Sequence, residues 1–83
     1  MVREFDLVIS YDSKVRTEEN LPDLKKLVRQ YSGRISTSHD LIDVHCRFKD
    51  ASKYRVFLKE ARKKFNGYSS LELKEIELED SAA

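Results

Sequence analysis

Apolar residues recur along this chain with two different periods, and the switches between them mark out six elements. Phe5, Leu7, Ile9 and Tyr11 alternate with Asp6, Val8 and Ser10. A period of two in β-forming residues predicts a strand over 5–11. Asp12-Ser13 is expected to end it, with a polar loop running to about Asn20. Leu21, Leu24, Leu27, Val28 and Tyr31 then follow the three-four spacing of one helical face. Asn20 reads as the N-cap, because its side chain can accept a bond from a free first-turn amide. Pro22 then falls in the first turn, where a missing amide is tolerated. Gly33 stands where a left-handed stop residue is wanted.

The second half repeats the scheme. Arg34-Ile35-Ser36-Thr37 reads as a short strand and Ser38-His39-Asp40 as a turn. Ile42, Val44, Cys46 and Phe48 alternate with Leu41, Asp43, His45 and Arg47, which completes a hairpin. Asp50 is placed to cap a second helix with Tyr54, Phe57, Leu58, Ala61 and Phe65 on its inner face and Asn66-Gly67 at its end. The last strand, 71–78, changes phase: Leu71 and Leu73 share a face, but Ile76 and Leu78 do not share it. A β-bulge near Lys74-Glu75, or a strand leaving the sheet there, accounts for the change. Residues 79–83 are read as a disordered acidic tail. The order strand-helix-strand-strand-helix-strand, with short connections and right-handed crossovers, predicts one domain over 1–78. The expected fold is an α/β chain of the α+β two-layer type. It is a ferredoxin-like sandwich with a four-stranded antiparallel sheet in order 4-1-3-2 and both helices on one face.

Composition bounds this picture. With 83 residues, 40% of them hydrophobic, the chain has room for one efficient core. Its single cysteine, Cys46, permits no internal disulfide and fits a reducing compartment. No apolar run reaches the roughly 20 residues that span a membrane. The start Met1-Val2-Arg3-Glu4-Phe5-Asp6 lacks the apolar stretch of a signal peptide, so the expected location is cytoplasmic. The formal net charge of +1 hides an asymmetry: residues 1–70 hold 15 basic and 10 acidic side chains, residues 71–83 one basic and five acidic.

Candidate chemistry follows from which face each polar residue takes. Lys25, Lys26 and Arg29 point away from the core of the first helix. Arg55, Lys59 and Lys63 do the same on the second, with Arg62 at the border. Cations spaced along two neighbouring helices can follow a phosphate backbone and release its counterions. On the open face of the sheet, Asp6, Ser10, Asp43, His45 and Arg47 form a polar surface that either stays solvated or is covered by a second subunit. RNA-recognition motifs share the element order but stack bases on aromatics of the central strands. Here those positions hold Asp6, Val8, Ser10, Asp43, His45 and Arg47, so any nucleic-acid contact is expected from helices or loops.

A carboxylate beside His45 could orient it as a general base. Tyr11-Asp12 at the end of the first strand, together with the element order, resembles the small nuclease subunits of CRISPR adaptation. That resemblance covers two residues and the topology. It implies a metal-dependent nuclease using Asp12. With only Gly33 and Gly67, the chain has no glycine-rich phosphate loop, and no Ser-His-Asp order or metal-ligand spacing stands out. Three functions follow, in this order. The first is a non-catalytic protein that contacts nucleic acid through the seven helical cations, without metal or small-molecule cofactor. The second is an adaptor or inhibitor that binds another protein, with homodimer formation as one form of this. The third is the nuclease.

Overall fold

β1 (Val2–Ser10) is the second strand from one edge of a four-stranded antiparallel sheet with spatial order β2-β3-β1-β4. The other elements are α1 (Lys14–Gln30), β2 (Arg34–Thr37), β3 (Asp43–Phe48), α2 (Ala51–Lys64) and β4 (Glu72–Glu79). The computed structural model describes residues 2–64 and 72–79, and the side chains of residues 2, 3, 78 and 79 are left out of that description. The expected order 4-1-3-2 is the same arrangement read from the other edge. Phe65, the Asn66-Gly67 stop, Leu71 and residues 80–83 of the expected tail lie outside the described residues, whereas Glu79 belongs to β4.

Register puts the two faces of the sheet to different uses. Phe5 pairs with Phe48, Leu7 with Cys46 and Ile9 with Val44, so one face carries a continuous apolar row across the two central strands. Leu24 and Val28 of α1 and Tyr54, Phe57 and Ala61 of α2 join that row in a single core. Phe48 anchors it, with ring centroids 4.6 Å from Phe57 and 5.8 Å from Tyr54. Burial of an aromatic of this kind stabilises by about 1.5–3 kcal/mol.

Helix α1 starts earlier than the apolar pattern indicates. Its N-cap is Ser13, whose Oγ accepts from the Arg16 amide at 3.2 Å, and the stretch expected as loop is its first two turns. Asn20 is therefore inside the helix, donating from Nδ2 to the Arg16 carbonyl at 2.8 Å. Pro22 is also interior rather than first-turn. It is exposed, as is Glu18, whose carbonyl the missing amide cannot serve, so that carbonyl lies on the solvent side. The inward residue of the added turns is Thr17, fully buried, with its hydroxyl donating to the Ser13 carbonyl at 3.1 Å.

The end of α1 also differs from expectation. The Gly33 amide donates to Val28 O at 2.9 Å and the Ser32 amide to Arg29 O at 3.1 Å. This is the paired closure of a Schellman motif. The left-handed residue is Ser32, with φ 60°, not Gly33. Gly33 is required for another reason: a Cβ there would lie 2.3 Å from Cε2 of the buried Phe48 ring.

The phase change in β4 needs no bulge at Lys74-Glu75. Register with β1 is continuous from Ser10↔Glu72 to Glu4↔Leu78, and the irregularity lies in β1, between Val2 and Glu4. Ile76 is out of phase because it sits opposite Asp6 on the open face, while Leu73 sits opposite Ile9 on the core face. Glu75 falls on the core side, opposite Leu7. Its carboxylate accepts from Tyr54 Oη at 3.3 Å and pairs with Arg62, tying the edge strand to α2.

Candidate nucleic-acid interface

The two helices lie side by side and antiparallel. Lys53 Nζ, in the first turn of α2, reaches Ser32 Oγ at 3.4 Å just beyond the end of α1. At the other end Lys64 Nζ pairs with Asp23 Oδ2 at 3.7 Å. Their outer faces therefore form one surface. Lys25, Lys26, Arg29, Arg55, Lys59, Arg62 and Lys63 are all exposed on it. Arg62 is held by Glu75, and among the described residues none of the other six forms an ion pair.

Arg55, Lys59 and Lys63 follow one another at four-residue spacing, about 6 Å per step along the helix axis. Like charges at that spacing oppose helix formation by a few tenths of a kcal/mol per pair, and Glu60, three residues before Lys63, forms no ion pair with the row among the described residues. Arg62, Lys63 and Lys64 occupy the last turn of α2, where positive charge complements the helix dipole. Those three have a structural role available to them. Arg55, Lys59, Lys25, Lys26 and Arg29 do not share it to the same degree, Arg29 alone standing in the last turn of α1.

The open face of the sheet is less solvated than its polar sequence implies. Asp6 is 2% exposed and Val8 7%. Both sit on the central strand, between His45 and Arg47 of β3 and Lys74 and Ile76 of β4. Asp6 Oδ2 lies 3.0 Å from His45 Nδ1 and 3.4 Å from Arg47 Nε, so the aspartate is the buried anchor of a small ionic cluster. Its Oδ1 has no hydrogen-bond partner among the described residues. Ser10 Oγ donates to Asp43 Oδ1 at 2.7 Å, a separate cross-strand pair. The face thus divides the expected polar set into Asp6-His45-Arg47 and Ser10-Asp43.

Chemically the first cluster holds an oriented histidine. Ser36 is the cross-strand partner of His45, whose partner on β1 is Val8, so Asp6 meets the histidine diagonally. Ser36 makes no hydrogen bond to His45, so the set stops short of an activated nucleophile. Asp12 is remote from it in the pairing. It is exposed, immediately before α1, with Oδ1 4.0 Å from Arg16 Nε. Tyr11 is 5% exposed and part of the core. Among the described residues no group of three His, Cys, Asp or Glu side chains comes together as a metal site. Cys46 is fully buried, and burial, with the nearby Asp6 charge, pushes its thiol up to about 12.

The chain-wise search for candidates misses Arg34. Hairpin register places it directly opposite Arg47, two like charges facing each other across β2 and β3. Counting back from the Ser38-His39-Asp40 turn is the signal that finds it. Glu4 meets Arg34 at 3.3 Å, and Asp6 meets Arg47, so each arginine has drawn in a carboxylate from β1.

No protein-family model matches this chain, and no curated protein matches it in sequence. Among the described residues no helix is long and apolar enough to cross a membrane.

Proposed function

We propose that this chain is a ferredoxin-like, non-catalytic binding protein that engages nucleic acid through the outer surface of α1 and α2. The observation that supports this reading is the set of six exposed cations that form no ion pair among the described residues, on two adjoining helices: Lys25, Lys26, Arg29, Arg55, Lys59 and Lys63. A solvated helix kept soluble by charge gains from opposite charges at three- and four-residue spacing, whereas Arg55, Lys59 and Lys63 repeat one sign at that spacing. Binding is electrostatic and without base readout, since the surface offers long cations and, among the described residues, no aromatic platform.

The test is fluorescence anisotropy of labelled single-stranded RNA and duplex DNA at low and physiological salt. Wild type is expected to bind with affinity falling steeply in salt. The combined reversal Arg55→Glu, Lys59→Glu, Lys63→Glu is expected to lower affinity at least about tenfold, and each lost phosphate contact flattens the salt slope by about 0.7–0.9. Absence of binding at low salt overturns the reading and turns attention to protein partners, including a second copy of the chain. The same samples, incubated with magnesium or manganese, test the nuclease alternative: intact RNA and DNA reject it, and cleavage lost in Asp12→Ala supports it.

A further inference from the structure

A pocket of about 370 Å³ opens where the α1–β2 and β3–α2 connections meet beside β1. Four cations line it: Arg34, Arg47, Lys49 and Lys53. Two carboxylates share the lining, Glu4 and Asp50. Neither carboxylate is idle. Glu4 holds Arg34, and Asp50 Oδ1 accepts from the Lys53 amide at 3.0 Å as the cap of α2. Counting Asp6 as well, which holds Arg47 from outside the lining, one positive charge is left over.

The placement of these cations runs against stability. Arg34 and Arg47 are cross-strand partners, and like charges directly opposite destabilise a sheet. Arg47 spends only Nε on Asp6, which leaves its two terminal nitrogens without a partner among the described residues. Lys49 has no ion-pair partner among the described residues, and Lys53 Nζ makes one long contact to Ser32 Oγ. A local conflict of this kind, kept in an otherwise consistent fold, belongs at sites of function. The first turn of α2 adds its dipole to the same pocket.

We propose that this pocket binds a phosphate monoester. A monoester carries close to two negative charges near neutral pH, so these four cations attract it more strongly than a backbone diester, which carries one. The terminal nitrogens of Arg47 suit two phosphate oxygens at once, and Lys49 and Lys53 supply point charges. The volume is at the low end for small-molecule sites, on the scale of one nucleotide. Half-buried Tyr31 on the wall provides an aromatic surface beside the charges. Two sources offer this chemistry: a free mononucleotide and the phosphorylated 5′ end of a strand. The inference stands apart from the helical surface, because the lining shares no residue with the seven helical cations.

The experiment is a backbone-amide NMR titration of the folded protein with adenosine monophosphate, adenosine, and matched short oligonucleotides with a 5′-phosphate or a 5′-hydroxyl, at physiological salt. The monophosphate is expected to shift the amides of Ser32, Gly33, Lys49, Asp50 and Lys53 saturably, with adenosine leaving them in place. Lys49→Ala with Lys53→Ala is expected to weaken that binding about tenfold or more, and the Arg55, Lys59, Lys63 reversal to change it less than about twofold. If the 5′-phosphorylated strand shifts the same amides more strongly than its hydroxyl twin, the strand end is the ligand; equal response with a strong monophosphate response assigns the free nucleotide. No saturable shift at about 10 mM monophosphate, weaker than the millimolar range of useful binding, overturns the proposal. So does a response that the two lysine substitutions leave unchanged. A failure of the helical surface to bind RNA or DNA leaves the monophosphate arm intact, so the two readings fail separately.

Discussion

Ser32 and Gly33 divide between them two requirements that one glycine often meets alone. Ser32 takes the left-handed conformation that closes α1, and Gly33 lets the backbone pass over the Phe48 ring. The two positions should therefore answer oppositely to substitution. Ser32→Gly removes the strain of a left-handed L-residue and is expected to stabilise by about 0.5–1 kcal/mol, seen as a melting temperature some degrees higher. It gives up only the long, exposed contact with Lys53. Gly33→Ala forces a methyl into a ring that is 2% exposed and packed at a tilt against Phe57, and is expected to destabilise by about 1–3 kcal/mol. Equal effects at the two positions, read by chemical denaturation, contradict this division. The sequence marked Gly33 as special, but for the neighbouring role. A left-handed serine leaves no trace in composition, and the approach of Phe48 depends on packing from another strand.

Between elements, the informative link is Glu75, which joins β4 to α2 through Tyr54 and Arg62. It also withholds Arg62 from the basic surface. Glu75→Gln keeps an acceptor for the tyrosine and releases the arginine. Nucleic-acid affinity is expected to rise about two- to threefold at low salt and to converge with wild type at high salt, as screening removes one added charge. Stability is expected to change by under about 1 kcal/mol, since the pair is half exposed. Unchanged affinity removes Arg62 from the interface.

Elements of this chain were legible where apolar residues carry the period. β2 and the inner stripes of both helices follow directly from Ile35, Leu24, Val28, Tyr54, Phe57 and Ala61. The opening turns of α1 did not, because their inward residue is Thr17 and their apolar one, Val15, is 63% exposed. Hydrophobic periodicity cannot register a threonine that satisfies its hydroxyl on the turn below. β4 misled for the opposite reason: it is an edge strand with Ile76 on the open face and Glu75 on the core face, so its pattern looks broken while its pairing is regular. Of the candidate surface, the helical cations could be placed from spacing alone. The Arg34-Arg47 opposition, and the pocket behind it, required the register of two strands.

Across the whole molecule, charge is unevenly spread, with Glu18, Glu19, Asp23 and Glu60 among the helical cations and Lys74 among the acids of β4. Cations gather on the helical surface and around the pocket, and β4 carries Glu72, Glu75 and Glu77 along one edge. The core beneath adds a response to alkali. Burial raises the Cys46 thiol from its ordinary 9.0 to about 12, and burial together with the Glu75 charge raises the Tyr54 hydroxyl above the ordinary tyrosine range. Both groups stay protonated in the folded chain at a pH where the unfolded chain has lost the protons. The unfolded state then binds fewer protons, so stability is fully present below about pH 9 and declines as pH rises toward 12. Melting temperatures are expected to be flat from neutral pH to about 8.5 and to fall beyond it, with a shallower fall in Cys46→Ala than in wild type. A native thiol that reacts with an alkylating reagent at pH 8 as fast as in denaturant contradicts the burial on which this rests.

The position of β1 has one more consequence, for the order in which the molecule can be made. β1 is central, yet one neighbour is β3 and the other is the far later β4, with Ser10 against Glu72 and Val2 against Glu79. During synthesis from the N-terminus, a ribosome that has released everything through α2 leaves β1 paired on one side only. Its other edge stays open until β4 emerges and closes the longest loop in the fold, a step slowed by chain entropy. In that interval the open edge is where the same strand of a neighbouring copy would pair, so slowing the delivery of β4 is expected to raise the share of any strand-exchanged dimer.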